Sequence, residues 1–503
     1  MGTWSAEGAQ ATRRGGVGGG RWWALAVVAT AQLMITLDLT IMLIALPSAQ
    51  RDLGMPAQEG RWVLTGYALA LGGLLMLGGR VGDLVGRRRA LVIGTAGFAA
   101  ASALGGAAAD PAMLLGARAL QGVFAALLAP STISLVSVMF SDRDERARAF
   151  GIFSATLMVG TGVGLLLGGV LTQFLSWRWC MYINVPIAVL VVVGARRLIP
   201  AASARAGIRL DLPGAVLASA GLGAFVFAIG EADVDGWGSP IILGLLAAAI
   251  VLLGLFAVWQ TRATQPLLPL RILADRRRLG ANLSLLSFNL GNTGAYLLLT
   301  YQAQSIWGYS ALQTGVAFLP LIVIIGLVST RVTPRLIRRY QPRSLMSLGL
   351  VLIGLGLLTM TRMSLRGSYV GELLPALVLM GLGSGLAAGP TMNTGTRVAD
   401  PADATAASSL IRSSQQIGVA LGTAIMTTIA ASYTATALHS ESLPAATVHG
   451  YATASYWGAG ILLAASLCVR RLIPERQPAA NPQPLAHGSS VTPTHVNNRG
   501  VRT

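Results

Sequence analysis

The sequence predicts an all-α membrane protein whose chain crosses the bilayer fourteen times. Three observations carry that expectation. Hydrophobic residues make up 53% of the 503 and charged residues only 11%, whereas about a quarter of a soluble globular chain is charged. Fourteen apolar runs are long enough to cross a hydrocarbon core roughly 30 Å thick, which takes about 20 residues each. The arginines, finally, crowd into alternate connections between those runs, as the positive-inside rule requires.

Taken in order, a Gly-rich basic tail at residues 1–21 precedes the first run and is expected to stay cytoplasmic. Apolar runs follow near 24–46, 62–79, 90–109, 112–135, 149–174, 179–195, 212–230, 239–259, 280–301, 311–330, 344–361, 370–392, 407–432 and 452–469. With the N-terminus inside, thirty arginines fall in inner connections and tails and five in outer ones (Arg51, Arg61, Arg178, Arg362 and Arg366), leaving Arg118 and Arg412 within or at the edge of spans. Residues 474–503, rich in Pro, Asn, Ser and Thr and without periodicity, are expected to be a disordered cytoplasmic tail.

The same composition excludes several functions. All 37 basic residues are arginine, so there is no P-loop lysine for ATP and no lysine for a pyridoxal Schiff base. His439, His449, His487 and His495 are read as lying in polar connections or the tail, leaving no HExxH zinc helix and no histidine proton relay in a span. No GxSxG and no paired carboxylates are present, so no catalytic residue, metal or cofactor is expected. The net charge of +18 is spread over many short loops, which fits topology and contact with lipid headgroups, not a nucleic-acid surface. Cys180 and Cys468 fall at opposite faces of the membrane, too far apart for a disulfide.

Charges inside spans are functional hypotheses by default. Asp38 lies about 13 Å of helix from the outer end of the first span, and Arg118 roughly 9 Å from the outer end of the fourth. If those spans adjoin, the opposite charges neutralise each other, and a substrate or proton arriving at Asp38 competes with the arginine. Desolvation raises the carboxylate's pKa and Arg118 lowers it, and the residues alone do not say which prevails. A purely structural pair holding two helices together is the alternative.

Between spans two and three the inner loop reads GGRVGDLVGRRRAL (Gly78–Leu91). The positive-inside rule accounts for Arg87, Arg88 and Arg89 but not for the glycines, which allow a tight turn, nor for Asp83, which can pair with an arginine or cap a helix. On the fifth span Gly160, Gly164 and Gly168 recur every fourth residue with Gly162 and Gly169 beside them, a stripe that lets a neighbouring helix approach closely. Gln121, Asn289, Asn292, Tyr301, Gln302 and Asn393 place hydrogen-bonding groups in or near spans, as do Asn282, Gln415 and Gln416. Each is as fit for helix-to-helix bonding as for a ligand.

The order Gly79, Asp83, Gly86, Arg87, Arg88 resembles the signature loop of the major facilitator superfamily, at the same loop between spans two and three. LDLTIMLIALP (Leu37–Pro47), RALQG (Arg118–Gly122) and Gly160, Gly164, Gly168 and Gly169 resemble motifs of its drug:proton antiporters. WRWCMYINVPIA (Trp177–Ala188) is similar to the entry of the sixth span in their fourteen-span branch. Leu165 stands where the antiporter signature has proline, and Thr330–Arg343 occupies the place of a second signature loop without an acidic residue.

The resemblance implies the major facilitator fold, two six-helix bundles (22–200 and 275–473) with two extra central helices (201–274) between them. It implies a conformational latch at Gly79, Asp83, Gly86, Arg87 and Arg88 that stabilises an outward-facing state, and proton coupling through Asp38 and Arg118. The arginine-only, Ala/Gly-heavy usage suggests a GC-rich actinomycete genome, where members of this family often export an antibiotic that the organism makes. Proton-coupled efflux of an amphipathic toxic compound, puromycin-, methylenomycin- or tetracenomycin-like, across the bacterial plasma membrane is therefore expected. A proton-linked importer or metabolite exporter is the alternative that Leu165 keeps open. The partners expected are a small-molecule substrate, protons and the lipid bilayer, with the chain working as a monomer.

Overall fold

Several helix starts in this chain carry a capping side chain, in three of them with proline in the first two helical positions. Asp110 accepts a hydrogen bond from the Met113 amide and is followed by Pro111; Ser239 accepts from Ile241 and is followed by Pro240. Asp211 caps its helix through the Gly214 amide, and Ser310 forms a reciprocal capping box with Gln313. Each device satisfies amides that the first turn leaves without an intrahelical partner, and proline at the first positions gives up no bond that the helix would make.

The computed structural model describes residues 8–140, 142–200, 211–232, 235–264, 266–268, 271, 274–396 and 404–474. The expected disordered tail lies almost wholly outside them. The elements are α1 (Gly8–Leu53), α2 (Ala57–Val85), α3 (Arg87–Gly106), α4 (Pro111–Met139), α5 (Arg143–Phe174), α6 (Trp179–Tyr182), α7 (Asn184–Leu198), α8 (Leu212–Glu231) and α9 (Pro240–Arg262). After them come α10 (Arg276–Tyr301), α11 (Ala311–Ala317), α12 (Leu319–Leu327), α13 (Thr333–Leu336), α14 (Pro342–Met360), α15 (Leu374–Thr396), α16 (Ala404–Ala437) and α17 (Leu443–Leu472). No strand occurs among the described residues. His449, read from sequence as part of a connection, lies instead inside α17, with Nδ1 3.6 Å from Glu441.

Eleven described helices are long and apolar enough to cross a membrane, or twelve when α2, bent by 58° between Leu75 and Leu77, is taken as one span. The expected fourteen is not reached by that measure. Of the two segments outside that count, α10 carries Arg276, Arg277, Arg278, Asn282, Asn289 and Asn292, and α5 is represented among the described residues by the shorter apolar stretch Gly162–Phe174. Both are continuous helices.

The helices pack as two six-helix bundles with the same internal plan. In the N-terminal bundle α1 lies on α5 and α7, α4 on α2 and α3, and α3 on α7; in the C-terminal one α10 lies on α16 and α17, α15 on α12 and α14, and α14 on α17. The bundles meet where α2 runs against α16 and α5 against α11. Separate buried apolar clusters fill each bundle, and a further one, including Ala68, Val226, Leu290 and Val419, joins α2, α8, α10 and α16.

The inserted pair α8 and α9 stacks on itself and leans on α2 and α16 through α8. Of α9 only Ile242, Ala249 and Gln260 are buried. An apolar helix with so little protein cover presents its side chains to hydrocarbon, where they cost nothing to expose. The pair is pinned at both ends. Arg61 and the Trp62 indole donate to Glu231, at 3.2 and 2.9 Å. At the other end Asp211 accepts from the Trp259 indole (2.6 Å) and the Gln260 amide (2.7 Å), while Arg80 donates to the Pro266 carbonyl (2.6 Å).

Candidate functional site: a buried ion pair beside the central cavity

Arg118 and Gln121 stand three residues apart on α4, a spacing that puts them on one face of the helix. That face meets α1 at Asp38. Arg118 Nη1 lies 2.6 Å from Asp38 Oδ2, and neither side chain has any exposure. The other carboxylate oxygen accepts from the side-chain amides of Gln121 (3.0 Å) and Asn184 (2.8 Å), which both also bond the Ser102 hydroxyl. Arg118 further donates to Gln121 Oε1 (2.8 Å) and to the Val63 carbonyl (3.0 Å). Helices α1, α2, α3, α4 and α7 thus converge on one carboxylate.

Three donors converge on the two carboxylate oxygens, and a buried charge needs such pairing to be tolerated. The satisfaction is incomplete: Arg118 Nη2, the Tyr67 hydroxyl and Asn184 Oδ1 are buried without a hydrogen-bond partner among the described residues. The Tyr67 ring covers the guanidinium, 4.4 Å from its carbon to the ring centroid.

Beyond Tyr67 a cavity of about 340 Å³ opens between the two bundles. The N-terminal wall includes Gln32, Thr36, Thr40 and Tyr67; the C-terminal wall includes Asn289, Asn292, Tyr296, Arg412, Gln415 and Gln416. On the face away from the arginine-rich loops the bundles are joined: the Tyr301 hydroxyl donates to Gln50 (2.6 Å) and the Gln304 amide to the Ile44 carbonyl (3.0 Å).

The glycine stripe of α5 lies along α1. A Cβ at Gly164 would meet Thr40 and the Leu37 carbonyl, and one at Gly168 would sit 2.8 Å from the Ile41 carbonyl oxygen; at Gly160 it would meet mainly the tip of Leu33. Gly169 faces the other way, with Ala311 and Leu312 of the C-terminal bundle at 2.8 Å from its would-be Cβ. Leu165, in the place of the signature proline, is buried, and its carbonyl faces Gly315.

In the signature loop, Gly86 takes a φ of 98° and turns the chain directly from α2 into α3. Only glycine adopts this conformation without strain. Arg87 Nε is 3.4 Å from Asp83 and its Nη1 donates to the Ser134 carbonyl (3.3 Å); Arg88 donates to the Ile199 carbonyl (3.0 Å). All of these partners belong to the N-terminal bundle. Gly79 is half-buried, and the close approach to α4 is made by Gly78, where a Cβ would run into the Ala126 carbonyl.

The residues weighed as substrate contacts divide. Asn289 and Asn292 line the cavity, though their amide nitrogens are engaged with the Leu285 and Phe288 carbonyls. Gln121 sits in the carboxylate cluster, Tyr301 at the inter-bundle contact, and Gln302 donates to the Ser364 carbonyl at 3.2 Å. Asn393 is exposed and off the cavity wall. Sequence reasoning did not single out Tyr67, Ser102, Asn184 or Gln32, and it counted Arg412 without giving it a role. An arginine inside an apolar run was itself a usable signal. Isolated small polar residues gave none.

Residues 28–423 match the family model described as Major Facilitator Superfamily. The chain is 45% identical to the puromycin resistance protein of Streptomyces alboniger, over 94% of this chain and 95% of that one. It is 37% identical to the cephamycin export protein of Amycolatopsis lactamdurans, over 82% and 85%. Among solved structures it is similar to a peptide transporter of the POT family, with a TM-score of 0.66, 15% identity and coverage of 89% of this chain and 97% of that one, a likeness of fold alone. The fold, the motif match and the two relatives agree: the chain belongs to the major facilitator superfamily and is a multi-span membrane transporter, not an enzyme.

Proposed function

We propose that this transporter exports an antibiotic-like amphipathic compound across the bacterial plasma membrane in exchange for protons, with the arginine-rich face cytoplasmic. The observation that carries the reading is the fully buried Asp38–Arg118 pair, separated from the central cavity by one aromatic ring. Its carboxylate is held by three donors from two other helices, Arg118 and Gln121 of α4 and Asn184 of α7, so a proton reaches it only when those donors move. Proton binding and helix rearrangement are therefore a single event.

On this reading the structure is the inward-facing member of an alternating-access pair. Closure on the arginine-poor face by Tyr301–Gln50 and Gln304–Ile44 supports it, as does the confinement of Asp83, Arg87 and Arg88 to contacts within their own bundle, as expected of a released latch. The pairing of α1 with α5 in one bundle and α10 with α16 in the other supplies two rigid bodies able to rock about the cavity. The names of the two relatives, one conferring puromycin resistance and one exporting cephamycin, support an antibiotic as cargo.

The test is growth of an efflux-deficient bacterium carrying the wild-type chain or Asp38→Asn against a panel of antibiotics. Resistance with wild type that is lost in an equally abundant mutant is expected. A panel on which wild type confers no resistance would contradict export.

A further inference from the structure

The central cavity is lined by two dozen side chains, and one of them carries a formal charge: Arg412 on α16. Its surroundings are apolar or neutral. Phe288, Tyr296 and Tyr67 contribute rings, while Gln415 and Gln416, three and four residues along the same helix face, contribute amides. The Arg412 guanidinium makes no ion pair or hydrogen bond among the described residues. The carboxylate that could have neutralised it from the opposite wall, Asp38, is sealed behind Tyr67 with both oxygens already engaged.

A guanidinium on the wall of a cavity with no carboxylate beside it is a site waiting for an anion. Its planar fork matches a carboxylate in a bidentate geometry, and such charge-assisted bonds are the strong ones. The same charge repels a cation, and nothing else on the wall compensates for that repulsion.

From this we infer that the cavity takes amphipathic organic anions, molecules with an aromatic body and a carboxylate or acidic phenolate, and that Arg412 is the residue that selects them. The rings of Tyr67, Tyr296 and Phe288 receive the body, and Gln415 and Gln416 supply further polar contacts beside the acidic group. The inference rests on the reading that this cavity holds the cargo, but it does not depend on the direction of transport.

The test is equilibrium binding to the purified full chain in nanodiscs of zwitterionic lipid, so that no anionic headgroup competes. Two xanthene dyes of similar shape and opposite charge, carboxyfluorescein and rhodamine 123, serve as probes. Wild type is expected to bind carboxyfluorescein saturably and at least about ten-fold more tightly than rhodamine 123. Arg412→Gln should lose that preference, Arg412→Lys should keep most of it and Arg412→Glu should invert it, with size-exclusion profiles showing that each variant is folded. A wild type that prefers rhodamine 123, that binds neither dye, or whose anion affinity survives in folded Arg412→Gln overturns the inference. Antibiotic resistance conferred by a chain that prefers the cation would leave the export reading standing while this one falls.

Discussion

The ring of Tyr67 lies over the Arg118 guanidinium at 4.4 Å on one side and forms the wall of the central cavity on the other. One side chain therefore separates the buried charges from the space in which cargo would sit. Cation–π stacking in a desolvated setting is worth up to about 2 kcal/mol, and the tyrosine hydroxyl, buried without a hydrogen-bond partner among the described residues, adds nothing to it. Tyr67→Phe should leave transport within about two-fold of wild type, whereas Tyr67→Ala, which removes the cover, should cost at least ten-fold on the scale of that stacking energy. Uptake into everted vesicles measures both. Equal loss in the two variants would show that the hydroxyl, not the ring, is what matters.

Removing one partner of a buried pair leaves the other charge uncompensated, at a cost of roughly 3–5 kcal/mol. Arg118→Gln should accordingly lower the thermal midpoint of the detergent-solubilised protein substantially. The double variant Asp38→Asn/Arg118→Gln, with no buried charge left, should recover most of the loss while remaining unable to couple protons. A double variant less stable than either single would mean that the pair is a net stabiliser of the fold.

The glycine stripe makes a graded prediction. At Gly168 an added methyl meets the Ile41 backbone, which cannot move independently of α1, and at Gly160 it meets chiefly the flexible end of Leu33. Gly168→Ala should destabilise by about 1–3 kcal/mol, as overpacking does, and Gly160→Ala by clearly less. Melting temperatures in detergent decide this, and the reverse order would place the tight α1–α5 contact elsewhere.

Asp211, at the start of α8, loses solvation, which raises its pKa. Hydrogen bonds from the Gln260 amide, the Trp259 indole and the Gly214 and Leu267 backbone outweigh that effect and hold the carboxyl below its ordinary range. A depressed carboxylate contributes stability that is full above its unfolded pKa, about 3.9, and lost as pH falls through the lower folded value. Asp211→Asn should therefore melt below wild type from neutral pH down to about pH 4, with the gap closing under more acid conditions. A gap that does not change with pH would assign the effect to packing.

Much of this architecture was legible in the sequence because membrane physics leaves few options. Apolar runs of span length become helices. Asp38 and Arg118 stood out because a charge in an apolar run has no inexpensive explanation. The shell around them did not stand out. Ser102 and Asn184 are single small polar residues on α3 and α7, and their importance arises only where those helices meet beneath α1. Tyr301 and Gln302 looked equally suited to a ligand, yet Tyr301 spans the two bundles and Gln302 bonds the backbone at Ser364, because their helix ends outside the cavity. Depth and partner are tertiary facts, and polar residues in spans carry no spacing code for either.

The central claim, that protonation of Asp38 is coupled to cargo export, is tested most directly by proton flux in everted vesicles held at a fixed pH gradient. Addition of an antibiotic to which the wild-type chain confers resistance should dissipate the gradient in wild-type vesicles and leave it intact in Asp38→Asn vesicles of equal protein content. Antibiotic-dependent dissipation of the same size in Asp38→Asn would contradict the account, because the proton would then be travelling by a route that does not include this carboxylate.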